Sequence, residues 1–129
     1  MKNKIATTVE QSKKLLELGI DEGTADMYWW HYEKKTYLSG MYDGEFNKHE
    51  EDVPAWSLSA LLEMLPLKIN VGNDLCPLKI DKEYNNKNLK VDYGVCYLDK
   101  NSNGVGYFKE NTLDAVFEMI VYLKENKLI

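Results

Sequence analysis

The chain has 129 residues, of which 44% are hydrophobic and 29% charged, a composition typical of one globular domain (residues 1–129) and not of a disordered chain. Its 21 acidic residues outnumber its 16 basic ones, which gives a formal net charge of −5. This balance repels a phosphate backbone, so we expect no nucleic-acid partner.

The N-terminal segment predicts a short helix. Thr7 stands three residues before Glu10, and Thr8 stands three residues before Gln11, so either threonine can form a capping box. Gly19 is placed to adopt the left-handed conformation that ends a helix. We therefore expect a helix between this pair of threonines and Gly19.

The next segment is rich in aromatic side chains. Met27–Tyr32 predicts a strand with apolar residues on both faces, and Thr36–Tyr42 predicts a second strand. The acidic run Asp43–Val53 has no hydrophobic period, so it predicts an exposed loop.

The middle of the chain predicts a helix followed by several strands. Ser57 can cap a helix that has a leucine-rich face, and Pro66 ends it. Beyond Pro66 the hydrophobic period changes to two, which is typical of strands. The expected strands are Leu67–Val71, Cys76–Tyr84, Leu89–Leu98 and Val105–Phe108.

The register of the central hairpin is predicted from its apolar face, with a loop at Asn85–Asn88. A shift of one residue would set Cys76 opposite Cys96, but it would also place Ile80 against Asp92, so we expect no structural disulfide. The expected pairs are Tyr84 with Leu89, Ile80 with Tyr93, Leu78 with Val95, and Glu83 with Lys90.

The C-terminal stretch Asn111–Lys127 predicts the main helix of the core. The predicted fold is α+β, an antiparallel β-sheet (meander) packed against two to three helices with the C-terminal helix central. Met119 and Tyr122 have no assigned neighbour in this arrangement, so both are candidates for contact with another chain. Large apolar residues follow helical spacing along one face, at Leu113, Val116, Phe117, Ile120 and Leu123.

A calcium-loop pattern occurs at Asp99–Glu110, with Asp99, Asn101, Asn103 and Glu110 as the candidate ligands. An EF-hand loop needs a helix before it, whereas a predicted strand precedes this one, and only two of the four ligands carry charge. The competing interpretation is a β-connection that turns at Asn103 and Gly104. We therefore expect no metal ion or other cofactor.

The aromatic segment is a second candidate site. Tyr28, Trp30 and Tyr32 are predicted interface residues, because exposed aromatic side chains are enriched at protein contacts. His31 could instead combine with the acidic loop, residues 43–52, in a small-ligand pocket or a small hydrolase. His49 lies within that loop, but it lacks the fixed spacing of a metal site.

The termini and cysteines favour a cytoplasmic location. Polar residues follow Ile5 almost at once, so no signal peptide is expected. The apolar run Met119–Leu123 is far too short to span a membrane. Without a secretory context, Cys76 and Cys96 are expected to stay reduced.

Three segments carry a resemblance to other proteins. They are Thr24–Met27, Pro54–Pro66 with the sequence PAWSLSALLEMLP, and Asp114–Lys127. These segments resemble a group of short uncharacterised proteins of Bacteroides and related gut bacteria, which often accompany phage or other mobile elements. The resemblance implies a bacterial, cytoplasmic setting, and it implies no activity and no catalytic residue.

The leading functional hypothesis is a non-catalytic interaction module that forms a homo-oligomer or binds another protein. It rests on the last helix and the aromatic strand, which carry more apolar side chains than the predicted core covers. The alternative is the small-ligand binder or hydrolase that uses His31. A third hypothesis is an acidic inhibitor of a nucleic-acid enzyme. It rests on the negative net charge and on the association of the resembling proteins with mobile elements.

Overall fold

The computed structural model describes residues 4–40 and 51–129. Within them the chain forms three α-helices and seven β-strands in two antiparallel sheets, which confirms the predicted α+β class. The helices are α1 (Val9–Glu17), α2 (Leu58–Glu63) and α3 (Thr112–Glu125). The strands are β1 (Met27–Tyr32), β2 (Lys35–Gly40), β3 (Val53–Ala55), β4 (Lys68–Val71), β5 (Asp74–Asn85), β6 (Lys90–Leu98) and β7 (Gly104–Lys109).

Local side-chain signals set the ends of α1. The Thr8 hydroxyl accepts a hydrogen bond from the Gln11 amide, and the Gln11 side chain accepts one from the Thr8 amide, so Thr8 forms the capping box. Gly19 ends the helix at φ +88°, and the Ile20 amide folds back to the Leu15 carbonyl. The predicted first helix is confirmed, with Thr8 as its cap.

The first sheet has the order β2-β1-β3. β1 and β2 form a hairpin with a two-residue turn, in which Glu33 and Lys34 have φ values of 48° and 67°. The predicted loop is wrong at its end, because Asp52 is buried and Val53 begins β3, which pairs with β1. The end of the predicted second strand and residues 43–50 of the loop lie outside the described residues.

The second sheet is a meander with the order β4-β5-β6-β7, as predicted for this region. Its central register is shifted by two residues from the prediction, so that Ile80 faces Val95 and Glu83 faces Asp92. The loop therefore spans residues 86–89 instead of 85–88. Leu89 is part of the loop and has a φ of +58°. A shift of two leaves every side chain on its original face, so hydrophobic alternation does not distinguish the two registers.

The core lies between the second sheet and the helices. α3 packs against β6, β7 and α2. The buried residues of this cluster include Trp56 of the β3–α2 connection, Leu61 of α2, Tyr97 of β6 and Ile120 of α3. None of the helices in the described part of the chain has both the length and the apolar character needed to cross a membrane.

The two cysteines are buried free thiols in the second sheet. Cys76 on β5 faces Ile69 on β4, whereas Cys96 on β6 faces Lys79 and Gly106 on its two neighbouring strands. The register therefore places the two cysteines in different cross-strand rows.

Candidate functional site

Alternate residues of β1 place three aromatic side chains on one face of the first sheet. These are Tyr28, Trp30 and Tyr32, and the hairpin register adds Tyr37 of β2 directly opposite Trp30. The rings of Trp30 and Tyr37 stack with their centroids 4.8 Å apart, and the Tyr32 centroid lies 6.5 Å from that of Trp30. We call these four residues the aromatic face.

The aromatic face is most open to solvent near the hairpin turn. Tyr32 keeps 60% of its surface exposed and Tyr37 keeps 39%, whereas Tyr28 and Trp30 are partly buried. Side chains with an apolar ring and a polar tip are common where a surface is covered by a partner, because they bury large areas and still meet water at the rim. The geometry therefore fits a contact surface.

Hydrogen bonds hold the two tryptophans of β1 on opposite sides of the sheet. Trp30 Nε1 donates to Ser39 Oγ on β2 at 2.8 Å, which fixes the indole within the aromatic face. Trp29 Nε1 donates to the Thr7 carbonyl at 2.8 Å, which attaches the sheet to the N-terminal segment. Because Trp30 is already held, it has less side-chain freedom to lose when a partner binds.

His31 lies at the exposed end of β1, next to the hairpin turn. Its side chain is exposed, its Nδ1 lies 3.0 Å from Thr36 Oγ1, and it lines none of the cavities described here. In the acidic loop only Glu51 and Asp52 belong to the described residues, so the predicted combination with residues 43–50 and His49 lies outside them. Residues 4–40 and 51–129 contain no group of three or more His, Cys, Asp or Glu side chains that could hold a metal ion.

The calcium-loop candidates Asp99, Asn101, Asn103 and Glu110 do not converge on one site. The Asp99 carboxylate accepts hydrogen bonds from the Asn101 and Asn103 amides, so it closes the β6–β7 turn. Glu110 follows β7 and is separated from that turn by the length of the strand, about 20 Å at the usual rise per residue. It lies instead 3.8 Å from the Lys90 ammonium. The β-connection is confirmed, but its turn lies at Asp99–Ser102 and not at Asn103 and Gly104, because Gly104 already pairs with Leu98 as the first residue of β7.

The two interface residues predicted on α3 differ in their surroundings. Met119 is completely buried in the core of its own chain, so the prediction that it contacts a partner is wrong. Met119 belongs to the same core cluster as Leu15 of α1, Leu61 of α2 and Tyr97 of β6. Tyr122 is half-buried, with its ring centroid 6.3 Å from that of Tyr107 on β7. Tyr122 keeps some accessible surface, but a neighbour within the chain already occupies one side of it.

A cavity of about 340 Å³ on the β5–β6 hairpin was not predicted. Two of its lining residues, Lys82 and Tyr93, share the face of the sheet on which Tyr107 contacts α3. The signal in the sequence was Lys82, which interrupts an otherwise apolar alternation and faces Tyr93 on β6. The cavity is lined by Lys82, Lys90, Val91, Tyr93 and Glu110.

Comparisons with known proteins give no independent assignment. No protein-family model, curated protein or solved structure matches the chain. The resemblance to the gut-bacterial group stays a prediction, and the functional argument depends on the surfaces described above.

Proposed function

We propose that this protein is a non-catalytic interaction module that forms a homo-oligomer through the aromatic face. The observation that carries the proposal is the partly exposed aromatic cluster around the Trp30–Tyr37 stack. Tyrosine and tryptophan supply large contact areas at a low cost in side-chain entropy, and they are frequent among the residues that dominate binding energy.

The position of β2 favours a second copy of the chain as the partner. In the described part of the protein β2 is paired with β1 alone, so its other edge has backbone groups that another strand can bond. A two-fold axis beside β2 would pair it antiparallel with β2 of the second copy, since an isologous contact uses the same surface twice. Tyr37 on β2 of each copy would then lie beside the axis and pack against the aromatic face of the other copy.

The setting of this activity is also a proposal. The resemblance of Thr24–Met27, Pro54–Pro66 and Asp114–Lys127 to the gut-bacterial group supports a bacterial cytoplasm and a genetic neighbourhood of mobile elements. It does not bear on which surface forms the contact.

Light scattering behind a sizing column tests the proposal. We expect a dimer at a protein concentration of about 100 μM, where even a weak micromolar contact is largely formed. Tyr37→Ser and Tyr32→Ser should each shift the mass toward the monomer. Tyr84→Ser is a matched control, because Tyr84 on β5 is as exposed as Tyr32, at 60%, and lies in the other sheet. A monomer at all concentrations, or an equal effect of Tyr84→Ser, would contradict the proposal.

A further inference from the structure

The β5–β6 hairpin contains a row of three residues that combines a ring with two cations. Lys82 on β5 and Lys109 on β7 are the direct cross-strand partners of Tyr93 on β6, so all three lie on one face. The Lys82 ammonium lies 5.7 Å from the centroid of the Tyr93 ring. A lysine over a tyrosine ring is a cation–π contact, and it holds the charge beside the apolar floor of the cavity.

The charges around the cavity are predominantly positive, although the chain as a whole is acidic, with a net charge of −5. Among the described residues, no carboxylate lies within ion-pair distance of Lys82. Glu110 partly neutralises Lys90 at a separation of 3.8 Å. Lys82 therefore brings to the cavity a positive charge that no carboxylate of the lining neutralises.

Acidic residues of the hairpin lie on the opposite face of the sheet. Glu83 and Asp92 face each other across β5 and β6 in the register next to the Lys82–Tyr93 pair. Successive residues of a strand point to opposite sides, so these two carboxylates point away from the cavity. Glu83 and Asp92 thus lie on the face opposite the Lys82–Tyr93 pair, together with Lys79 and Lys90.

We propose that this cavity binds a small aromatic anion, a planar ring that carries a carboxylate or phosphate group. The ring would lie against Tyr93 and Val91, where it can stack and bury apolar surface. The anionic group would pair with the Lys82 ammonium, beside the Lys90–Glu110 ion pair that borders the cavity. A volume of about 340 Å³ is at the lower end of the range of small-molecule sites, which matches a ligand of one or two fused rings.

Calorimetric titration with three probes tests both parts of this recognition. The probes are naphthoate, which has a ring and a charge, naphthalenemethanol, which has the ring alone, and inorganic phosphate, which has the charge alone. We expect naphthoate to bind at least about fivefold more tightly than either of the others, and its affinity to fall with added salt. Amide chemical-shift mapping by NMR should place the response at Val91 and Tyr93.

Variants then locate the site. Lys82→Gln and Tyr93→Leu should each weaken naphthoate binding by about fivefold, the equivalent of losing one cation contact or one stacking contact. Lys79→Gln is the matched control, because Lys79 lies on the same strand and points to the other face. Melting curves of the variants test whether they remain folded, and we expect cooperative transitions for each. Absence of binding, equal affinity for naphthalenemethanol, or an equal loss in Lys79→Gln would each overturn the proposal.

Discussion

The carboxylate of Asp26 accepts hydrogen bonds from both the backbone amide and the hydroxyl of Ser57. Ser57 is at the same time the cap of α2, because its hydroxyl oxygen accepts a bond from the Ala60 amide. One residue earlier, Trp56 Nε1 donates to Thr24 Oγ1 at 2.9 Å. These bonds join Thr24–Asp26 to Trp56–Ser57. Their contact attaches the start of α2 to the segment that precedes β1.

Removing the Asp26 carboxylate is expected to destabilise the fold. Asp26→Ala leaves the Ser57 amide without its acceptor and allows the Ser57 side chain to leave its capping rotamer. We therefore expect a loss of about 1–2 kcal/mol in the free energy of unfolding. Asp26→Asn, which keeps one acceptor oxygen, should lose less. Urea unfolding measures both, with Glu63→Ala on the exposed side of α2 as the control. Equal stability of Asp26→Ala and the control would show that the bonds contribute nothing.

The helix caps could be predicted because they depend on neighbours within a few residues. Thr8, Ser57 and Gly19 occupy the predicted positions, and each is determined by local hydrogen bonding. The first sheet was harder to predict because β3 has only three residues, one of which is Pro54. A segment this short shows no alternation of apolar and polar residues. Its pairing with β1 depends on contacts between distant parts of the chain.

The candidate surface was predicted in part. Tyr28, Trp30 and Tyr32 lie together because strand residues alternate. Tyr37 was not predicted, because its position opposite Trp30 depends on the turn at Glu33 and Lys34. Both turn residues have positive φ values, and the usual sequence signal for such a turn is Asn-Gly. Met119 was placed wrongly for a related reason. Helical spacing identifies a face, but it does not give the number of elements that cover that face.

The contact between Gly94 and Phe108 can be tested with a double-mutant cycle. The two residues are cross-strand partners, and a Cβ at Gly94 would lie 2.3 Å from a Phe108 ring carbon. Gly94→Ala should therefore displace the ring and lower stability by about 1 kcal/mol or more. In a Phe108→Ala background the same change should be neutral or stabilising, because alanine is less flexible than glycine in a strand. An identical effect in both backgrounds would contradict the contact.

The Asp114 carboxylate should make stability depend on acid pH. Burial tends to raise its pKa, but hydrogen bonds from Gln11, Lys4 and Asn111, together with the charge of Lys4, outweigh burial and lower the pKa below 3.8. The unfolded chain then binds the proton more readily, so this stabilisation is present above the unfolded pKa and is lost as the pH falls through the folded one. Asp114→Asn should lose about 1 kcal/mol at neutral pH and progressively less below about pH 4. A difference that is constant across this range, measured by urea unfolding, would contradict the expectation.

Tyr97 should make stability depend on alkaline pH. Its hydroxyl donates to the Pro66 carbonyl at 2.7 Å, and burial raises the pKa of Tyr97 from 10.0 to about 12. At neutral pH, Tyr97→Phe should lose about 1 kcal/mol because the Pro66 carbonyl loses its donor. Above about pH 10 the unfolded tyrosine ionises while the folded one keeps its proton, so the unfolded state is favoured and the stability of the wild type falls. Phenylalanine has no ionisable hydroxyl. The gap in unfolding free energy between the wild type and Tyr97→Phe should therefore narrow between about pH 10 and 12. Urea unfolding of both proteins at increasing pH measures the gap, and a gap that stays constant would mean that the Tyr97 hydroxyl is not held as the structure describes.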